Sequence, residues 1–264
     1  MIYSFFLGLI QGLTEFLPIS SDGHLALGEL YLKKYFNFEL ESGLAFNVIL
    51  HLGTLIATIW LTKRDLIQVF LGLLNKLDKR SDNAGGVNRL TEGVEFRLVL
   101  STIVATIPAV IGGLLLRDAV ENIQTSPYWI AGGFITTLVV LVVANRSLKK
   151  NPQSVESNGL DWDIPSLKYS LIIGMAQLLA ILPGVSRSGM TIASALILGL
   201  GGKTAFRFSF FMALPVIGGA ILLEGIKAFG EGGVDWVNAG IGIIASFIFG
   251  MLAIKVLANS MKSG

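Results

Sequence analysis

The chain of 264 residues is 53% hydrophobic and only 14% charged, with a mean hydropathy of +0.70. Soluble domains carry about a quarter charged residues, so an ordinary water-soluble fold is excluded and an all-α integral membrane protein is expected. Cysteine is absent and only two histidines are present, which rules out disulfides, thiolate metal sites and multi-histidine zinc chemistry; the net charge of +2 is small, and no nucleic-acid partner is expected.

The first apolar stretch, residues 2 to 35, lacks a basic leader and a small-residue cleavage site, so a cleaved signal peptide is not expected. It is split by Gln11-Gly-Leu-Thr-Glu-Phe-Leu-Pro-Ile-Ser-Ser-Asp-Gly-His24. At least one arm is too short to cross a bilayer, and the break carries Pro and Gly, which stop a helix. A re-entrant helix-turn-helix hairpin is predicted. Non-helical backbone at membrane depth is tolerated only where it is buried in protein or lines a cavity, so the hairpin tip is also a cavity prediction. Ionisable groups in such surroundings cost at least a few kcal/mol in lost hydration and mark a site where an ion or charged substrate restores it.

Apolar stretches near the roughly 20 residues of a spanning helix follow at about 43 to 62, 97 to 116, 128 to 146, 205 to 226 and 236 to 258, giving five full spans. Between the first two, residues 65 to 78 have amphipathic helical spacing and are expected to lie along the cytoplasmic interface. Residues 80 to 92 and 150 to 160 are polar, rich in Asn, Ser and Gly, and read as loops. A second interrupted stretch, 166 to 201, is broken by Pro183-Gly-Val-Ser-Arg-Ser-Gly189 and predicts a second hairpin. Trp60, Trp129 and Trp236 fall near span ends, as interfacial anchors do.

With five spans and two hairpins, fourteen Lys and Arg fall on one side, in 63 to 97, 146 to 168, at Lys203 and in the tail. Four (Lys33, Lys34, Arg117 and Lys227) fall on the other. The positive-inside rule then puts the N-terminus outside and the C-terminus inside. If either hairpin were a full span, this alternation would fail. Gly8-x-x-Gln11 with Pro18-x-x-Ser21 resembles Gly174-x-x-Gln177 with Pro183-x-x-Ser186. One membrane domain over 1–264 is expected, built from an inverted repeat of about 1–146 and 166–258 with its polar site near the midplane.

Glu15 lies one helical turn after Gln11, an arrangement that can offer oxygen to Mg²⁺ or Ca²⁺, or be a buried structural pair with Arg187. Ser20, Ser21, Asp22 and His24 cluster donors and acceptors at a turn; Ser or Asp there can also cap the following helix, and His24 can exchange a proton near neutral pH. Gly184 to Gly189 has the composition of a phosphate cradle, with Ser186, Arg187, Ser188 and Gly189 as candidate ligands and Thr191 on the next turn; it is not a P-loop, which needs Gly-Lys-Ser/Thr. Lys203 and Arg207 at a cytoplasmic span start are explained by snorkelling. His51 and Asn47, four apart in the first full span, are equally consistent with support from behind the site and with helix-to-helix hydrogen bonding.

At Gln11-Gly-Leu-Thr-Glu-Phe-Leu-Pro-Ile-Ser-Ser21 with Gly23-His24, and at Leu182-Pro-Gly-Val-Ser-Arg-Ser-Gly189 with Thr191, the sequence resembles the undecaprenyl-diphosphate phosphatase family of the bacitracin-resistance type. The resemblance implies an integral enzyme of the bacterial inner membrane that removes the terminal phosphate of a C55 polyprenyl diphosphate, regenerating the carrier lipid for cell-wall synthesis. It also implies a divalent cation, Mg²⁺ or Ca²⁺, and an outward-facing site; a homodimer is compatible with it. Carried over by position, Glu15, Ser21, His24 and Arg187 take the catalytic roles. Ser186, Arg187, Ser188, Gly189 and Thr191 bind substrate, and Glu15, Gln11 and Asp22 are the metal candidates. Asp22 stands where the family commonly has Ser or Thr, and Gln11 where some members have Glu. An added carboxylate there can repel phosphate or replace a missing ligand.

Two routes stay open: attack by Ser21 with His24 as acid or base, or attack by an activated water. Inverted repeats with midplane hairpins also describe transporters, which would bind an anionic lipid or ion and move it without hydrolysis.

Overall fold

The structure is a computed structural model and describes residues 1–36, 43–78, 93–123, 126–148, 163–231 and 235–262. The regular elements among those residues are all helices: α1 (Ile2–Phe16), α2 (Ser21–Phe36), α3 (Gly43–Asp78), α4 (Val94–Leu115), α5 (Arg117–Ile123), α6 (Pro127–Leu148), α7 (Leu167–Leu179), α8 (Arg187–Ile197), α9 (Gly202–Glu231) and α10 (Trp236–Lys262). Five of them, α3, α4, α6, α9 and α10, are long and apolar enough to cross a membrane, and they coincide with the five expected spans. The chain is thus a helical multi-pass membrane protein. The expected loops at 80 to 92 and 150 to 160 lie outside the described residues.

One element differs from expectation. Residues 65 to 78 continue α3 instead of forming a separate interfacial helix, so that α3 runs for 36 residues, about 54 Å at 1.5 Å per residue. Neither Pro nor Gly interrupts Thr54 to Leu71. Val69 is also drawn into a core with Leu98, Ile173, Phe208 and Met212, while Asp65 pairs with Arg207. Tertiary packing therefore holds this stretch against the bundle.

Helix α1 stops at Phe16 because Leu17 precedes Pro18, whose ring disfavours the α region before it; Leu17 is extended, at φ −77 and ψ 147. Its inner face carries Leu7, Gly8, Gln11, Gly12 and Glu15, while Phe5 and Phe6 are exposed. Close helix approach without a hydrophobic driving force relies on small residues. A Cβ at Gly8 would strike the Gly242 carbonyl of α10, and one at Gly174 of α7 would strike the Ala105 carbonyl of α4. So α1 packs chiefly on α10 and α7 on α4, each short helix against a span from the other half of the chain. Phe16 stacks on Phe210 of α9 with ring centroids 5.6 Å apart.

Exposed Ile107, Ile111, Leu114, Leu138, Val139 and Val142 suit a lipid-facing surface. Lys63 sits 3.6 Å over the Trp60 ring, a cation–π contact. At the head of α10, the amides of Asn238 and Val237 donate to the exposed Asp235 carboxylate, which holds its carboxyl below the usual carboxylate range.

Candidate active site

The two breaks in the short helices meet. After Leu17, Ser20 takes a left-handed φ of 68, unusual for a residue with a side chain and a form of strain that clusters at functional sites. Its Oγ accepts from the Gly23 amide at 3.3 Å, capping α2. In the second break the left-handed position is Gly184, at φ 82, where a Cβ would run into the Ile130 carbonyl. Ser186 then caps α8 by accepting from the Gly189 amide at 3.0 Å, and its own amide donates to Thr137 Oγ1 of α6 at 2.9 Å. Ser188 Oγ donates to the Leu17 carbonyl at 3.2 Å, joining the two breaks directly.

Beside that junction lies a cavity of about 450 Å³. Glu15, Ser21, Asp22, His51, Ser186 and Arg187 form its polar wall; Ile181 and Leu182 of the second break and Ile217 and Ile221 of α9 form its apolar wall. Glu15 is the hub. Arg187 Nη2 donates to its Oε1 at 2.6 Å, and Ser21 Oγ donates to its Oε2 at 2.6 Å. Gln11 Nε2 adds a longer contact to Oε2 at 3.2 Å and also donates to Thr54 Oγ1 at 3.3 Å. Only 6% of the Glu15 side chain is exposed. The charge is therefore matched by a guanidinium from a residue 172 positions away, as a buried carboxylate requires.

The sequence-expected residues divide. Glu15, Ser21, Asp22, Ser186, Arg187 and Ser188 all line the cavity. Gly189 and Thr191 sit behind it: Gly189 gives its amide to the cap, and Thr191 Oγ1 meets Ser209 Oγ at 2.7 Å, fastening α8 to α9. His24 is not among the lining residues. Its Nδ1 donates to the Ser20 carbonyl at 2.7 Å and its ring lies 4.9 Å from that of Phe134. The imidazole facing the cavity is His51 of α3, with Nε2 3.6 Å from Glu15 Oε2 and 3.5 Å from Asp22 Oδ1. Its polar spacing from Asn47 is the signal for it; Glu29, which also lines the cavity, shows in the sequence only as an acid in an apolar arm. Thr137, which positions Ser186, carries no sequence signal.

Of the expected cation ligands, Glu15 accepts short bonds on both oxygens, while Gln11 donates its amide nitrogen toward them and its buried Oε1 has no hydrogen-bond partner. Among the described residues no group of three His, Asp or Glu is placed to hold a metal. Asp22, with 70% of its side chain exposed, has only His51 as a charged neighbour within ion-pair distance among the described residues.

Comparison with known proteins adds the family. The family model described as Bacitracin resistance protein BacA matches residues 4–264. Curated relatives named undecaprenyl-diphosphatase include one from Methanosphaera stadtmanae, 37% identical over 257 residues and covering 97% of this chain and 88% of the relative. Another, from Bacteroides fragilis, is 37% identical over 262 residues (98% and 88%). A third, from Saccharophagus degradans, is 36% identical over 255 residues (96% and 87%).

Proposed function

The chain belongs to the bacitracin resistance protein BacA family, and from that premise and the geometry of the cavity we propose that it is a phosphatase removing the terminal phosphate of undecaprenyl diphosphate. The observation that carries the reading is the meeting of Arg187, Glu15 and Ser21 in one cavity with an apolar second wall. A diphosphate head needs donors, an isoprenoid tail needs apolar surface, and the cavity offers the two side by side.

Phosphoryl transfer demands positioning and charge stabilisation more than covalent work. Arg187 supplies a guanidinium at the cavity wall, and the first turn of α8 supplies the positive end of a helix. Ser21 Oγ is the nucleophile in this reading: it attacks the terminal phosphorus while its proton passes to Glu15 Oε2, to which it already donates. The bond from phosphorus to the bridging oxygen breaks, and undecaprenyl phosphate leaves. Water then cleaves the phosphoserine, releasing inorganic phosphate, and Glu15 returns the proton to Ser21. Glu15 thereby takes the proton-transfer place expected of His24.

We further read the two broken pairs, α1 with α2 and α7 with α8, as re-entrant hairpins of an inverted repeat. The crossed packing of α1 on α10 and α7 on α4 supports this. The excess of Lys and Arg at the end that holds Lys63, Arg64, Arg97 and Lys203 supports a cytoplasmic side there and a site opening outward from the inner membrane.

Purified protein is expected to release phosphate from undecaprenyl diphosphate, and Arg187→Ala to abolish that release. Binding of the lipid by the unaltered protein with no phosphate released would overturn the assignment.

A further inference from the structure

His51 has no role in the chemistry above, yet its side chain is held with care. Nδ1 lies 2.8 Å from the Asn47 carbonyl; a carbonyl only accepts, so Nδ1 is the donor and the ring cannot swing. Nε2 is then the nitrogen left to face the cavity, between Glu15 Oε2 and Asp22 Oδ1. The two carboxylates differ in their needs. Glu15 is already matched by Arg187, whereas Asp22 stands largely exposed at the wall of a cavity built for an anion. An unmatched carboxylate there would repel phosphate. His51 is the group within ion-pair distance of it.

We propose that His51 is a substrate-binding residue of this site: its Nε2 gives up Asp22 and takes an oxygen of the diphosphate, so that Asp22 is the partner which the substrate displaces. The inference rests on the phosphatase reading for the identity of the anion. Ser21 Oγ and His51 Nε2 share Glu15 Oε2 as a neighbour, which puts both within the span of one bound phosphate. Arg187 approaches Glu15 from the other oxygen. The anion is thus held from two sides, by a guanidinium on α8 and an imidazole on α3. The second donor comes from a spanning helix and not from either break.

The test uses the full-length protein in detergent. His51→Ala is expected to raise KM for the lipid diphosphate about 10- to 100-fold, the worth of one hydrogen bond to a charged group, with a smaller change in kcat. His51→Gln, whose amide nitrogen can replace Nε2 as a donor, is expected to recover most of that loss. Because Asp22 is left unmatched in His51→Ala, adding Asp22→Ser to it is expected to recover only part of the loss, since the donor to the diphosphate is still missing; full recovery would mean that His51 only neutralises Asp22. If the alanine variant does not fold, the unaltered protein answers alone. The chain has two histidines, and with ¹⁵N-labelled histidine the Nε2 signal of His51 is expected to move on addition of methylenediphosphonate while that of His24 stays. An unchanged KM in His51→Ala, full recovery on removing Asp22, or a shift at His24 in place of His51 would each overturn the proposal. A His51 shift in a protein that releases no phosphate would leave it standing and remove the phosphatase reading.

Discussion

Two arginines in this bundle meet a carboxylate, Arg187 on Glu15 and Arg207 on Asp65, and they differ in what each pair leaves over. Arg207 spends one nitrogen, Nη1, on both oxygens of Asp65, at 2.8 and 2.6 Å. It joins the first turns of α9 to the interior of α3, away from the cavity. Arg187 takes a single oxygen of Glu15. The other oxygen goes to Ser21, and the guanidinium remains at the cavity wall. A pair that closes on itself fastens helices, whereas one whose members also hold third groups can act on a ligand. Position in the chain gives the same contrast: Arg187 follows a break that exposes the head of α8, and Arg207 lies inside a continuous helix.

The largest expected effect tests the third group. Ser21→Ala removes the nucleophile and leaves the Glu15–Arg187 contact in place, so turnover is expected to fall by about 10⁴-fold or more, with thermal unfolding little changed. Near-normal phosphate release would take Ser21 out of the reaction. Next comes Arg187→Lys, which keeps the charge but loses the planar fork that can hold Glu15 and a phosphate together. A loss of about 10²- to 10³-fold in kcat/KM is expected, on the scale of removing one well-placed donor to developing charge. If lysine served equally well, the guanidinium would be a point charge only, and the distinction between the two pairs would blur.

Much of this was legible before the structure, for a physical reason: lipid makes polar residues expensive, so Glu15, Arg187 and the serines around them had to be explained. The breaks were legible through Pro18 and Gly184, and the five spans through length and composition. The pairing of Glu15 with Arg187, 172 positions apart, was legible as well, because two opposed hairpins bring their tips together. What escaped was set by tertiary geometry. His24 and His51 are equally polar in sequence, but His24 is turned onto the Ser20 carbonyl and Phe134, while His51 faces the cavity from a span. Arg207, at a cytoplasmic span start, reads from the sequence as snorkelling, and its partner Asp65 lies in a stretch expected along the interface. Once α3 runs unbroken to Asp78, Asp65 turns inward and the pair forms.

The smaller effects belong to that second pair. Arg207→Met leaves Asp65 with 11% of its side chain exposed and no matching charge. Since Arg207 is itself one-third exposed, the loss of stability is expected to be about 1–3 kcal/mol, less than for a fully buried pair. It would be read as a lower unfolding temperature with KM unchanged. The double variant Asp65→Leu with Arg207→Met sharpens the point. Replacing a closed ion pair by apolar groups of similar size is often neutral, because the desolvation cost of both charges disappears with their attraction. Here the neighbours are already apolar, with Val69 one turn further along α3 and Phe206 and Phe208 beside Arg207. Unfolding temperature close to that of the unaltered protein and phosphate release within about threefold of it are expected, because no group of this pair reaches the cavity. The same treatment of Glu15 and Arg187 would leave helices packed and Ser21 without its acceptor, so activity would vanish while the fold persisted. Should the Asp65–Arg207 double variant lose activity without losing stability, that pair too would have to act on the ligand, and closure would no longer distinguish a fastening pair from a working one.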